Sequence, residues 1–311
     1  MKIIFLTRLF YPHIGGVEKH IFSISRELIK KGHKITVITE KYDNNLAVEE
    51  EFKNIKILRF SYPKIKVLGL VVVWMKLLKY YPNFFRADII HIHDVFIWYL
   101  PLRFVFPFKP VYCSFHGWEG VYPIPFKNKF IRKISAALSR KNICIGKFIP
   151  KYYGIRADRI IYGGVEKVLR KNLRKQKDSI VFLGRLERDT GLLQFIDWLE
   201  KNKGEYQVVF CGNGSMKRKA QKYGEVKGIV KDPSKYLAKA KICCPGGYLS
   251  ACEALNHSCE LMFFYHNPLK KDYWQLSPFF RIKDKPKQAR VWLKENTWEK
   301  ITEVYLDLWK S

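Results

Sequence analysis

The chain has 311 residues, 48% of them hydrophobic, which allows two ordinary domains with substantial cores and excludes a disordered chain. Its 57 Lys and Arg against 28 Asp and Glu give a formal net charge of +29, a field that suits nucleic acid, an anionic membrane face or phosphorylated substrates. Lysine is spread along the whole sequence, so a solvated basic surface alone accounts for the charge, and the seven cysteines include no C-x-x-C pair of the zinc-binding kind.

Residues 2–6 are a short apolar run, read as a buried first strand. Arg8 comes too early for a secretory signal, so a cytoplasmic location is the expectation. The loop that follows holds Gly15 and Gly16. Val17, Ile21, Ile24 and Leu28 then recur at helical spacing, and Lys30-Lys31-Gly32 supplies a basic last turn and a glycine stop. Residues 35–38 read as the second strand. Strand, glycine turn, helix, strand is a βαβ unit and implies a parallel sheet, whose ligands sit beyond the carboxyl ends of its strands, where Gly15 and Gly16 lie. A tight turn without a ligand is the other reading of that glycine pair.

Strands are expected over 55–60, 88–94, 110–115 and 143–145, and a helix over 126–141. His91 and His93 are taken to face opposite ways on their strand, which argues against a shared metal, and neither is given a catalytic role. The stretch 65–81 is apolar with flanking lysines, and 96–100 is aromatic-rich; both suit either a core or the interface of an anionic membrane. No apolar run is long enough to span a bilayer, the nearest being 67–75. A basic segment, 167–177, where apolar periodicity lapses, marks the domain boundary. The second half restarts the rhythm. Strands are expected at 179–183, 207–210, 240–244 and 260–264, helices at 192–201 and 234–240, and a mostly helical tail at 287–309.

The stretch 243–255 runs strand, Pro245, Gly246-Gly247, then helix. A glycine turn frees backbone N–H groups at a helix start, where the dipole favours an anion. Glu253 sits about one turn in. A carboxylate there repels phosphate but accepts hydrogen bonds from a diol such as a ribose, or it merely complements the helix dipole.

Taken together, Gly15-Gly16-Val17-Glu18, the run 88–93, Phe115-His116-Gly117, the run 161–166, Gly184-Arg185-Leu186, Gly212-Asn213-Gly214, the run 249–255 and the tail 297–301 resemble the retaining glycosyltransferases of family four over nearly the whole length. The resemblance implies the GT-B fold, an α/β architecture of two Rossmann-like domains with parallel sheets facing across a cleft. Residues 1–166 would form the acceptor domain, with a C-terminal helix of about 297–311 packed back on it, and 167–296 the nucleotide-sugar domain. It implies a sugar passed with retention from a nucleotide-diphosphate sugar to a glycan or lipid-linked acceptor, with no metal and no cofactor. Glu253 would hold the ribose hydroxyls and Arg185 the diphosphate, to which its planar fork is suited. Gly15 and Gly16 would lie near the diphosphate and acceptor, and Gly212, Gly214 and Gly247 would line the donor wall. His116 would stand by the reacting sugar. The partners so implied are a nucleotide-sugar and a glycan or lipid-linked acceptor, and the stretches 65–81 and 96–100 add the expectation of an anionic inner membrane face.

Two positions depart from the family pattern. A Glu eight residues before Glu253 is replaced by Pro245, and a Lys five residues after Arg185 by Thr190. Losing a charged donor to the leaving group costs on the order of 2–4 kcal/mol of transition-state stabilisation; Arg188 is the nearby candidate to replace it. The alternative is therefore a catalytically weakened GT-B-like protein that binds a glycan or polyanion without turnover. Nucleic acid binding is suggested only by charge, with no motif to carry it.

Overall fold

The computed structural model describes residues 1–62, 68–168, 175–202, 204 and 206–310. Parts of the expected boundary segment (169–174) and of the stretch 65–81 (65–67) lie outside the described residues.

The first half consists of β1 (Lys2–Thr7), α1 (Gly16–Lys30), β2 (Lys34–Glu40), β3 (Glu49–Phe52), β4 (Ile55–Phe60), α2 (Gly69–Leu78), α3 (Tyr81–Arg86), β5 (Ile89–His93), α4 (Phe96–Val105), β6 (Val111–Phe115), α5 (Phe126–Leu138), β7 (Lys141–Ile145), α6 (Phe148–Tyr153) and β8 (Arg159–Ile161). These strands form one sheet in the order β3-β4-β2-β1-β5-β6-β7-β8. All its pairs are parallel except β3 with β4. The central strands are buried on both faces because helices cover both: β1 is buried from Ile3 to Thr7, and β5 and β6 throughout.

The second half is β9 (Gln176–Leu183), α7 (Leu192–Lys201), β10 (Gln207–Cys211), α8 (Lys217–Ala220), β11 (Glu225–Gly228), α9 (Ser234–Leu237), β12 (Ala240–Pro245), α10 (Tyr248–Asn256), β13 (Glu260–Leu261), α11 (Pro268–Gln275), α12 (Pro278–Ile282), α13 (Pro286–Glu295) and α14 (Trp298–Lys310). Its sheet is parallel, in the order β11-β10-β9-β12-β13. The fold is α/β with two Rossmann-like sheets.

After α13 the chain returns to the first half. Val165 and Thr297 form a parallel bridge; Val165 N–H donates to the Asn296 carbonyl (3.1 Å) and Trp298 N–H to the Val165 carbonyl (3.0 Å). α14 then packs on α1, burying Trp298, Ile301, Tyr305, Leu308 and Trp309.

Several expectations need correction. β3 was not foreseen: Glu49-Glu50-Glu51-Phe52 lacks strand-like alternation, and it forms because Lys53 and Asn54, with φ of 52° and 64°, make the tight turn that pairs it with β4. β11, α11 and α12 were also missed, and the last strand stops at Leu261. His91 and His93 share a face, as residues two apart on a strand must, with ring centroids 5.0 Å apart. The aromatic stretch 96–100 is helical and turned inward: Phe96, Trp98 and Tyr99 are buried, and Trp98 packs on Phe60 and Tyr62. All seven cysteines are free and buried.

Candidate active site

In a doubly wound parallel sheet, ligands lie beyond the strand ends where the order reverses. In the second sheet that point is between β9 and β12; in the first it is between β1 and β5. The loop after β9 carries Arg185, the loop and helix after β12 carry Gly247 and Glu253, the loop after β1 carries Gly15 and Gly16, and Asp94 follows β5.

β9 and β12 end in register, Leu183 beside Pro245. Gly184 and Gly246 then touch: a Cβ on Gly184 would lie 2.8 Å from the Gly246 Cα. Gly212 is pressed against the Gly184 carbonyl, where any Cβ would collide with the oxygen. Gly214 passes close to the Leu186 carbonyl. These close approaches interlock the loops after β9 and β10. Leu186 N–H donates to the Asn213 carbonyl (2.9 Å), and Glu187 accepts from Ser215 N–H (2.7 Å) and Oγ (2.5 Å). Those two bonds hold the Glu187 carboxyl below its usual range. Arg185 projects from this platform, its side chain 68% exposed, with Nη2 2.5 Å from Asp189 Oδ2. Thr190 is buried, and its Oγ1 donates to the carbonyls of Arg185 (3.0 Å) and Glu187 (2.6 Å). Thr190 thus staples the loop that carries Arg185. Pro245 is buried and simply ends β12.

Gly247 precedes α10 in an extended conformation, and its N–H donates to Ser250 Oγ (3.1 Å). Glu253 lies on the outer side of α10, where its carboxylate meets the ammonium of Lys19 from α1. Leu249, also on α10, lies against Gly16 and Gly163, one from each glycine loop of the first half. Gly15 leaves room for the Glu18 carboxylate, which bonds His13 Nδ1 (2.8 Å) and raises its pKa.

His116 follows β6. Its Nε2 is 2.8 Å from His93 Nδ1, and its backbone N–H donates to Asp94 Oδ1 (3.0 Å). Burial, and then the nearby Arg132, push the His116 imidazole down to about 3, so it is neutral at physiological pH. Arg132 Nη1 donates to the Gly117 carbonyl (2.6 Å), Nη2 lies 3.3 Å from Glu119, and the guanidinium stacks 3.9 Å over Tyr153. Burial raises Asp94 to about 6 against the pull of Arg132. Asp94 holds a left-handed φ of 62°. Sequence reasoning missed both Asp94 and Arg132; the only local signal was a strand ending in His-Asp.

Behind His116 runs a buried polar chain. The Trp309 indole N–H, a donor only, is 3.0 Å from His91 Nδ1. His91 Nε2–H therefore donates to Ser114 Oγ (2.8 Å), and the chain continues from Ser114 Oγ to the Tyr305 hydroxyl (3.0 Å) and on to His20 Nε2 (2.8 Å). The His20 ring stands edge-on to His116 at 4.8 Å. Burial holds His20, His91 and His93 well below their ordinary values, so the whole chain is neutral.

The two halves meet across one gap. The Trp118 and His266 rings are 6.3 Å apart, and a Cβ on Gly120 would sit 3.6 Å from Asp189 Oδ2. Lys151 Nζ is 2.5 Å from Asp272 Oδ2, and Tyr152 bonds the same carboxylate (2.8 Å). A further cavity of about 640 Å³, lined by Lys2, His33, Lys34, Lys56 and Arg86, lies at the amino ends of the strands, away from these groups. Among the described residues no three His, Cys, Asp or Glu side chains gather to hold a metal ion.

Residues 14–167 match the model of Glycosyltransferase Family 4. The chain belongs to that family. Its fold is GT-B. This family-four chain superposes on sucrose-phosphate synthase from Thermosynechococcus elongatus with a TM-score of 0.72 at 13% identity, covering 100% of this chain and 98% of the other. It superposes on the Anabaena protein HepE, in complex with UDP and glucose, with a TM-score of 0.70 at 13% identity over 100% of both chains. In sequence it is 38% identical over 61 residues to the GPI3 subunit of the phosphatidylinositol N-acetylglucosaminyltransferase of Saccharomyces cerevisiae, covering 20% of this chain and 14% of that relative's length. It is 22% identical over 219 residues to the GDP-mannose:cellobiosyl-diphosphopolyprenol alpha-mannosyltransferase of Xanthomonas campestris, covering 64% of this chain and 56% of that one.

Proposed function

We propose that this chain moves a sugar from a nucleotide-diphosphate sugar to an acceptor, with retention and without a metal. The observation that carries the proposal is the placement of Arg185 and Glu253 on either side of the β9/β12 switch point, with Glu253 turned toward α1 of the first half. Glu253 would take the ribose hydroxyls and Arg185 the diphosphate. Gly247 would border the donor, and Gly212 and Gly214 would shape its wall. Gly15 and Gly16 would let the backbone approach the diphosphate and acceptor. His116, neutral, would hydrogen-bond the transferred sugar. Fixed cations and backbone dipoles would hold the departing diphosphate. The UDP in the HepE structure and the GDP-mannose in the Xanthomonas name support a nucleotide-sugar donor. The test is release of nucleoside diphosphate from a panel of UDP- and GDP-sugars with chelator present, followed by NMR of the product anomer. No release with any donor, or release only with added metal, overturns it.

The buried Pro245 and the stapled Thr190 favour a second reading, in which the same cleft binds a glycan or polyanion without turnover. Binding of a nucleotide-sugar with no release of nucleotide is the result that selects it.

The acceptor, on our proposal, is glycan or lipid-linked and is met at the inner face of the cytoplasmic membrane. Leu68, Val71, Met75 and Leu78 form an exposed stripe along α2, continued by Tyr81 and Phe85, by Phe104 and Val105 at the end of α4, and by Phe108 beyond it. The rings are contiguous: Tyr81 stacks near Phe85, both touch Phe106, and Lys109 lies 5.7 Å over Phe85. Lys109 brings a cation to this face, and Lys79 and Arg86 are exposed at the ends of α2 and α3. Such a face suits an anionic bilayer, with apolar groups at the acyl boundary and cations at the headgroups. No described helix is long and apolar enough to cross a membrane. Flotation with phosphatidylglycerol vesicles is expected to carry the protein upward, and Met75→Glu/Phe108→Glu to stay below; equal behaviour of the two proteins overturns this surface.

A further inference from the structure

Asn267 caps α11, its side chain accepting the Lys270 backbone N–H at 2.8 Å. That cap turns the third residue of the helix back over the start of α10. Lys270 retains 3% of its surface, and its Nζ donates to the Gly246 carbonyl at 3.1 Å. The ammonium stands 4.1 Å from the Tyr273 ring centroid and 5.2 Å from that of Trp274. Gly246 is the residue pressed against Gly184, immediately before Arg185. A buried cation thus sits where the loops after β9 and β12 touch.

This cation has no carboxylate of its own. Among the described residues no carboxylate oxygen lies within 4.0 Å of it, and the nearest acid to act on it, Asp189, is engaged by Arg185 at 2.5 Å. An ammonium carries three N–H donors, and one carbonyl satisfies one of them. Burying a charge so thinly paired is costly unless an anion completes the site. Meanwhile Thr190, whose hydroxyl is spent on two carbonyls, offers no charge to a ligand.

We propose that Lys270 is the second cation of the diphosphate site, gripping with Arg185 the leaving diphosphate of the donor in place of the charge that Thr190 lacks. The proposal rests on the cleft being a nucleotide-sugar site and adds to it a residue from a different element. In the transfer, the bond from the anomeric carbon to the diphosphate oxygen breaks and its electron pair stays on that oxygen. The acceptor oxygen bonds to the carbon, and its proton ends on the diphosphate. Lys270 remains protonated throughout and compensates the charge that grows on the leaving group. The charged and titratable groups that face it are Tyr273, Arg185, Asp189 and His266, whose imidazole burial and Lys270 hold below its ordinary value.

The experiment measures binding of UDP, GDP and ADP, and of the matching nucleoside monophosphates, to the full chain and to Lys270→Met and Lys270→Arg. The diphosphate that binds the unaltered protein is expected to bind Lys270→Met at least tenfold more weakly. The monophosphate is expected to lose less, and Lys270→Arg to recover most of the affinity. A structural role would instead lower the thermal midpoint of Lys270→Met and weaken both ligands equally, which overturns the proposal. Undiminished diphosphate binding by Lys270→Met overturns it too, while leaving the donor site standing. Absence of binding to the unaltered protein removes the donor site and this inference together. Should Lys270→Met not fold, Lys270→Gln, which keeps a donor for the Gly246 carbonyl, carries the same comparison.

Discussion

Lys19 of α1 and Glu253 of α10, 234 residues apart in the chain, form an ion pair across the gap between the two sheets. The pair is partly open to solvent, with side-chain exposures of 46% and 21%, so it contributes about 0–1 kcal/mol. The same carboxylate is the proposed ribose acceptor. Hydrogen bonds to a charged group are worth about 1.5–3 kcal/mol each. Glu253→Ala should therefore weaken nucleoside diphosphate binding by roughly tenfold to a hundredfold or more. Lys19→Ala should change it by less than about fivefold. Calorimetric titration of both variants checks this, and equal losses would remove Glu253 from the donor site.

Two glycines separate folding from function. Gly212 has no room for a side chain because the Gly184 carbonyl occupies the space. Gly212→Ala should destabilise the protein by about 2–4 kcal/mol, read as a lower urea midpoint. A Cβ on Gly16 would sit 4.0 Å from Leu249 Cδ1, an ordinary contact. Gly16→Ala should keep the midpoint of the unaltered chain and lose turnover, because the backbone could no longer approach a ligand as closely.

Tyr305→Phe leaves Ser114 and His20 without their shared buried partner. An unsatisfied buried group costs about 1–3 kcal/mol. Chemical denaturation should show a loss in that range. His116, neutral and bonded to His93, should still not titrate between pH 5 and 9 by NMR.

Lys270 gives a pH signature. Burial lowers its folded pKa to about 8 from an ordinary 10.5. Between those values the unfolded chain binds more protons than the folded one, so stability rises with pH from about 8 to 10.5. Below about 8 both states are protonated and the cost of burying the charge is fully present. Lys270→Met should remove that rise and be the more stable protein at pH 7 in the absence of ligand. Diphosphate binding, which needs the ammonium, should weaken above about pH 8 in the unaltered protein only. Midpoints and affinities measured from pH 7 to 10 decide both points.

The parallel core was legible because its strands are continuous apolar runs and its loops are punctuated by glycine; residues 2–6 and 110–115 show this directly. The edge strand β3 was not, because three glutamates and one phenylalanine carry no alternation and a two-residue turn imposes the pairing. His91 and His93 were misassigned through the period of the strand itself, which returns every second residue to the same face. Arg185 and Glu253 could be placed because each sits at a fixed distance from a glycine turn. Lys270 could not: its surroundings arise only when α11 folds back over Gly246, and nothing near it in sequence announces a ligand. Asp94 was equally hidden, since the burial that raises its carboxyl, and the opposing pull of Arg132, 38 residues later, arise only in the fold.

The chain passes between the two halves near residue 165 and again near residue 297, and the passes are hydrogen-bonded side by side. Gly164 allows this, since a Cβ there would stand 3.0 Å from the Asn296 carbonyl oxygen. Two strands of chain bonded side by side constrain how the halves can move more than a single tether would. Any widening of the gap between the sheets would have to part Leu249 from Gly16 and Gly163 and Lys19 from Glu253 together.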